Sequence, residues 1–76
     1  MTPAAKRFVL IVESARAGVM YDARDGAVCP CCGAAMLRVY KTMPLQDGVR
    51  IRYHKCDNPE CVLCALSEGI KSLEEN

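Results

Sequence analysis

The spacing of apolar positions divides the chain into a helical opening and a strand-rich remainder. Phe8, Ile11, Val12 and Ala15 recur at helical spacing, with Lys6, Arg7, Glu13 and Arg16 mostly on other faces. Thr2-Pro3 is a helix start, with Thr as N-cap and Pro at the first helical position, and Gly18 is a stop. Residues 8–12 are rich in β-branched side chains, which makes a strand the competing reading. The bracketing caps favour a helix over residues 1–18.

Beyond Gly18 the period changes. "VMYDARDGAVC" (19–29) places two short apolar pieces around Asp25-Gly26 and predicts a small hairpin leading into the first cysteines. "LRVYKTM" (37–43) and "VRIRYHKC" (49–56) each alternate, and "PLQDG" between them supplies a Pro and an Asp-Gly turn, so the two are expected to pair. "GIKSLEE" (69–75) predicts a short third strand whose acidic end frays. No internal repeat appears beyond two cysteine clusters.

Seventy-six residues make one small domain, and a chain of that size buries only about 60% of its unfolded surface. Such domains compensate with disulfides, a metal or oligomerisation. Six cysteines serve either of the first two. The apolar run at 8–12 is too short and its flanks too polar for a secretory signal, and no run approaches the length of a membrane span. We therefore expect a protein of the bacterial cytoplasm, where thiols stay reduced and metal binding outranks disulfides. A structural zinc contributes about 10–16 kcal/mol in small peptides, against about 2–4 kcal/mol for one disulfide.

The thiols fall in "CPCCG" (29–33) and "CDNPECVLC" (56–64). Cys29 and Cys32 form a C-x-x-C with Pro inside and Gly33 after it, a turn that presents two sulfurs to one ion. By itself that spacing also fits a redox motif; a second cluster across a hairpin points to zinc. In the second cluster Cys56 ends a predicted strand and Cys61 follows an Asp-Asn-Pro-Glu loop. The first choice is one structural zinc on Cys29, Cys32, Cys56 and Cys61, with Cys64 in place of Cys56 as the alternative; His54 could replace one thiol but reads better as a strand residue. Cys31 and Cys64 otherwise read as small apolar residues. Four thiolates close a tetrahedral site, which argues against a zinc hydrolase, and no other catalytic set or phosphate loop is present; the chain reads as a non-enzyme.

The net charge is +1, but its distribution is uneven. Residues 29–56 carry Arg38, Lys41, Arg50, Arg52 and Lys55 against Asp47, and residues 57–76 carry Asp57, Glu60, Glu68, Glu74 and Glu75 against Lys71. Strand alternation puts Arg50, Arg52 and His54 on one face and Val49, Ile51 and Tyr53 on the other. If the apolar faces join in a core, Arg38, Tyr40, Arg50, Arg52 and His54, with Lys55 beside them, form an exposed basic surface suited to phosphate contacts and stacking. A solvated face that blocks edge aggregation is the plainer reading. Tyr40 and Tyr53 are expected to pack more than to stack on bases.

"CPCCG", the basic hairpin ending "RYHKC" and "CDNPEC" together resemble the Ogr/Delta family of small phage late-transcription activators, over residues 29–73. The resemblance implies a single-zinc, ribbon-like domain with the zinc role on Cys29, Cys32, Cys56 and Cys61. It also implies activation of phage or prophage promoters through contact with DNA and host RNA polymerase. Val62 and Ala65 depart from the pattern, where Gly and an aromatic are usual, as do the extra Cys64 and the 28 residues before the first cysteine.

The expected fold is thus a small α+β zinc ribbon, with an N-terminal helix (1–18) and short antiparallel β-hairpins around one four-cysteine zinc site. The core spans 19–73 and the tail 74–76 frays. The expected function is a zinc-ribbon nucleic-acid-binding transcriptional regulator of phage or prophage origin, contacting DNA through the hairpin. The alternatives are a protein-interaction adaptor with structural zinc, and an RNA-binding translational regulator.

Overall fold

A computed structural model of the chain describes residues 2–75. Helix α1 (Pro3–Ala17) forms between the expected caps: the Thr2 hydroxyl accepts the Ala5 N–H at 3.2 Å, and Gly18, at φ 119°, donates its N–H to the Ser14 carbonyl. At its C-terminal end Ala15 is fully buried and Ile11 and Val12 pack against the core. The preceding turns carry Phe8 and Leu10, 40% and 55% exposed. Arg16, in the last turn, pairs with Glu68 at 2.7 Å and ties the helix to the loop before the last strand.

Four strands follow: β1 (Val19–Met20), β2 (Arg38–Thr42), β3 (Val49–Lys55) and β4 (Ile70–Glu75), with the four-residue helix α2 (Val62–Ala65) between β3 and β4. They form one sheet in the order β1-β4-β3-β2. The expected β2–β3 hairpin is present, antiparallel, with Asp47 and Gly48 both at positive φ in its tight turn. Its register shifts between Val39 and Lys41, so Tyr40 is the extra residue of a bulge.

Two expectations about strands need correction. The 19–29 segment is not a hairpin of two strands. The Asp22 carboxylate accepts the N–H groups of Arg24 and Asp25, and this Asx turn closes on the single Asp22–Gly26 bridge. β1 instead pairs parallel with β4, Val19 opposite Ser72, so the sheet is not purely antiparallel. The acidic end of β4 does not fray at Glu74 and Glu75: they pair with Arg50 and Val49 of β3, and Arg52 holds Glu74 at 2.9 Å. Asn76, the rest of that expected tail, lies outside the described residues.

The sheet faces are also reversed relative to the reading from alternation. Cross-strand partners share a face, and His54 lies opposite Ile70, and Arg52 opposite Ser72. Ile70, His54 and Ser72 are fully buried, so this is the covered face. Its polar groups are accommodated by partners. His54 sets Nδ1 at 3.1 Å from the Leu37 carbonyl and Nε2 at 2.7 Å from the Ser72 hydroxyl. With Nδ1 donating to the carbonyl, Nε2 accepts from Ser72; burial holds the imidazole below its ordinary pKa and keeps it neutral. Arg52 lies 4.3 Å over the Tyr21 ring, and Tyr21 stacks on His54. Val49, Ile51 and Tyr53 occupy the opposite, open face.

Candidate metal centre

The N-terminal half of the site is a tight turn. Cys29 donates its N–H to the Ala34 carbonyl, and Gly33, at φ 78°, donates to the Cys29 carbonyl. No atom lies within 4 Å of where a Gly33 Cβ would stand, so its backbone angle, rather than crowding, selects glycine. The other half begins where β3 ends. Cys56 leads into a loop that Asn58 organises: its side chain accepts the Glu60 N–H and its carbonyl accepts the Cys61 N–H. Cys61 then caps α2.

These two halves bring together the sulfurs of Cys29, Cys32, Cys56 and Cys61, all within 4.8 Å of one another. Cys29–Cys61 and Cys32–Cys56 are each 3.6 Å apart. Tetrahedral zinc with bonds of about 2.3 Å needs sulfurs about 3.8 Å apart. Three of the four, Cys29, Cys56 and Cys61, are buried and Cys32 is exposed. Cysteine-only donors, that spacing and the closed geometry fit one structural zinc and leave no position for substrate. Cys64 packs half-buried against the core, and Cys31 sits beside Cys61 with the Val62 N–H facing its sulfur. Among the described residues the cluster is the first-choice tetrad of the sequence reading.

Backbone N–H groups face every one of the four sulfurs: those of Cys32 and Cys31 for Cys29, Ala34 for Cys32, Asn58 for Cys56, and Cys64 and Leu63 for Cys61. They set different proton affinities. The Ala34 N–H and the Asn58 side chain bring Cys32 down to about 6, while burial pushes Cys56 up to about 12. Burial also raises Cys29. In Cys61 burial is outweighed by the N–H groups of Cys64 and Leu63, and the thiol is lowered. Zinc bound here would release thiol protons, and Cys56 is the thiol that holds its proton most tightly.

From sequence alone Asn58 reads only as a turn residue. It also reaches across the site: its amide supports Cys32 on the far knuckle while its backbone supports Cys56. The only sequence signal for this is the Cys-x-Asn-x-x-Cys spacing itself. Asn58→Ala should lower zinc affinity about 10- to 100-fold, measured by competition with a chromophoric chelator. An unchanged affinity would confine Asn58 to the loop.

The residues expected to form one basic surface do not share a face. His54 is buried with both ring nitrogens engaged, so it meets neither metal nor phosphate from this position. Arg52 is taken up by Glu74 and Tyr21, and Arg50 lies opposite Glu74 on the same covered side. Arg38 and Lys55 pair across β2 and β3, and Lys41, Tyr53 and Lys71 lie across the sheet from one another, all on the open face. Tyr40 rises from its bulge and crosses this face. Its ring is 6.4 Å from that of Tyr53, the Lys55 ammonium lies 5.4 Å from its centroid, and it is 51% exposed. Its hydroxyl ends where a Cβ on Gly69 would stand, 2.5 Å from that position. Tyr40 thus lies outside the core, beside Tyr53 on the open face.

No helix among the described residues is long and apolar enough to cross a membrane. No curated protein and no solved structure matches the chain. Residues 28–64, which span both cysteine clusters and the hairpin between them, match the model of the Ogr/Delta-like zinc finger. With its four thiols gathered at one point, this segment is similar to the Ogr/Delta-like zinc finger and carries the donor set for one zinc.

Proposed function

We propose that the protein is a cytoplasmic nucleic-acid-binding regulator of phage or prophage origin. In this reading structural zinc holds the hairpin, the open sheet face contacts promoter DNA, and RNA polymerase is a further partner. The Ogr/Delta-like finger supports the regulatory role. The observation that carries the nucleic-acid reading is the open face itself, where Arg38, Lys41, Lys55 and Lys71 gather around Tyr40 and Tyr53. Asp57 pairs with Arg38 at 3.0 Å, which leaves the three lysines as the principal phosphate contacts.

Lys41→Ala, Lys55→Ala and Lys71→Ala together should weaken binding to nucleic acid and flatten its dependence on salt, by about 0.7–0.9 in the log–log slope per lost phosphate contact. Arg50→Ala with Arg52→Ala should do less, because Arg52 is paired and both face the covered side. Fluorescence anisotropy across a salt series reads both. A triple-lysine variant that binds as the parent does would remove the open face from the reading.

The exposed Phe8 and Leu10 on α1 favour a second reading, a protein-interaction adaptor that docks this helix on a larger machine. A stoichiometric protein partner lost on Leu10→Asp, with no binding to nucleic acid, would select it.

A further inference from the structure

The open face is flat, aromatic and basic, and its dimensions bear on which form of nucleic acid it receives. Four strands about 4.8 Å apart put the outer ones about 14 Å from each other, wider than the major groove of about 12 Å. The whole face is wider than an undistorted major groove, so paired DNA would meet it mainly along the backbone or at the edge hairpin. Unpaired bases, in contrast, lie flat on exposed rings. Tyr40 leaves β2 at the bulge, lies beside Tyr53 of β3 and ends against Gly69, just ahead of β4, where no side chain obstructs it. Tyr53 adjoins Tyr40 with its ring tilted by 43°, and it also lines an open groove of about 740 Å³ whose mostly apolar wall, from Met43 to Ile51, includes Gln46 and Asp47. That volume lies within the range of ligand-binding clefts. The three lysines border the two rings, as a backbone passing over stacked bases requires.

We infer that this face is a binding site for unpaired nucleotides, with one base on Tyr40, the next at Tyr53 and the groove, and Lys41, Lys55 and Lys71 on the phosphates. The inference rests on the nucleic-acid reading above and narrows it. Within it, the regulator engages a melted DNA strand or an RNA, and both sources share the same stacking chemistry.

The test titrates the zinc-bound full chain into labelled oligo(dT), oligo(U) and a short duplex of matched length at one ionic strength. Single strands should bind more tightly than the duplex, and the tighter of the two single strands names the source. Tyr40→Ala should weaken single-strand binding about 5- to 150-fold, with zinc content unchanged by native mass spectrometry, and Tyr40→Phe should restore it. The chain has three tyrosines and no tryptophan, so quenching of tyrosine emission by single strands reports stacking on the parent protein without any substitution. Equal or tighter binding of the duplex, no quenching, or a Tyr40→Ala variant with parental affinity overturns the inference while leaving the nucleic-acid reading in place. Absence of binding to all three probes overturns both.

Discussion

Cys56→Ser should release the zinc and unfold the chain, while Cys64→Ser should leave both metal and fold intact. The metal site and the core are largely the same object in this protein. Cys29, Cys56 and Cys61 belong to the buried cluster, alongside Ala15, Ala27, Leu37, Leu63 and Ile70. Little else is available to replace them in a chain this short. Structural zinc contributes about 10–16 kcal/mol, as much as the whole folding stability of about 5–15 kcal/mol usual for a domain. Cys56 sits at the end of β3, so losing its bond frees the strand that both β2 and β4 pair with. Cys64 is half-buried, outside the four-sulfur cluster, and Ser there removes no ligand. Native mass spectrometry with far-ultraviolet circular dichroism reads both effects. Metal lost from Cys64→Ser and kept by Cys56→Ser would move the fourth ligand to Cys64.

The second large effect is expected at Leu63. With Ile70 it is one of the largest fully buried side chains among the described residues, and it sits two residues after Cys61 in α2, in one cluster with Ile70 and Ala15. It therefore connects the metal site, the sheet and α1. Leu63→Ala should cost about 2–5 kcal/mol, the lost transfer energy plus the cavity it leaves. The loss should appear as a lower denaturant midpoint for the zinc-saturated protein, with one zinc still bound. A cost under about 1 kcal/mol would mean that the neighbouring elements collapse into the space and that Leu63 does not hold them apart.

Local signals in the sequence are legible wherever a single residue type fixes the backbone. Thr2, Pro3 and Gly18 bound α1 because cap chemistry acts within a few residues. Asp47-Gly48 marks the β2–β3 turn because it can adopt positive φ at both positions. The thiol tetrad is legible because zinc ligands come in turn-spaced pairs, although spacing leaves Cys56 and Cys64 in competition. What alternation cannot give is which face of β3 is covered. His54 and Arg52 look like surface residues until Ser72, Leu37, Glu74 and Tyr21 are placed against them, and every one of those partners is distant in sequence. The parallel pairing of β1 with β4 is invisible for the same reason. So is the reach of Asn58 to Cys32, since it spans the two knuckles.

The sheet order has a consequence for the sequence of events in synthesis. β4 is the inner strand that joins β1 to the β2–β3 hairpin, and the whole zinc segment lies between β1 and this partner along the chain. As the nascent chain emerges, α1 and β1 appear ahead of the finger but have no sheet to join. The hairpin and both knuckles come next, and once Cys61 is out they contain all four ligands. The metal-bound hairpin can therefore close as a template before β4 exists, and β4 then lands on β3 and admits β1 along its other edge. In that order α1 and β1, made before the finger, are fixed after it, and zinc supply during translation governs whether they have anything to dock on.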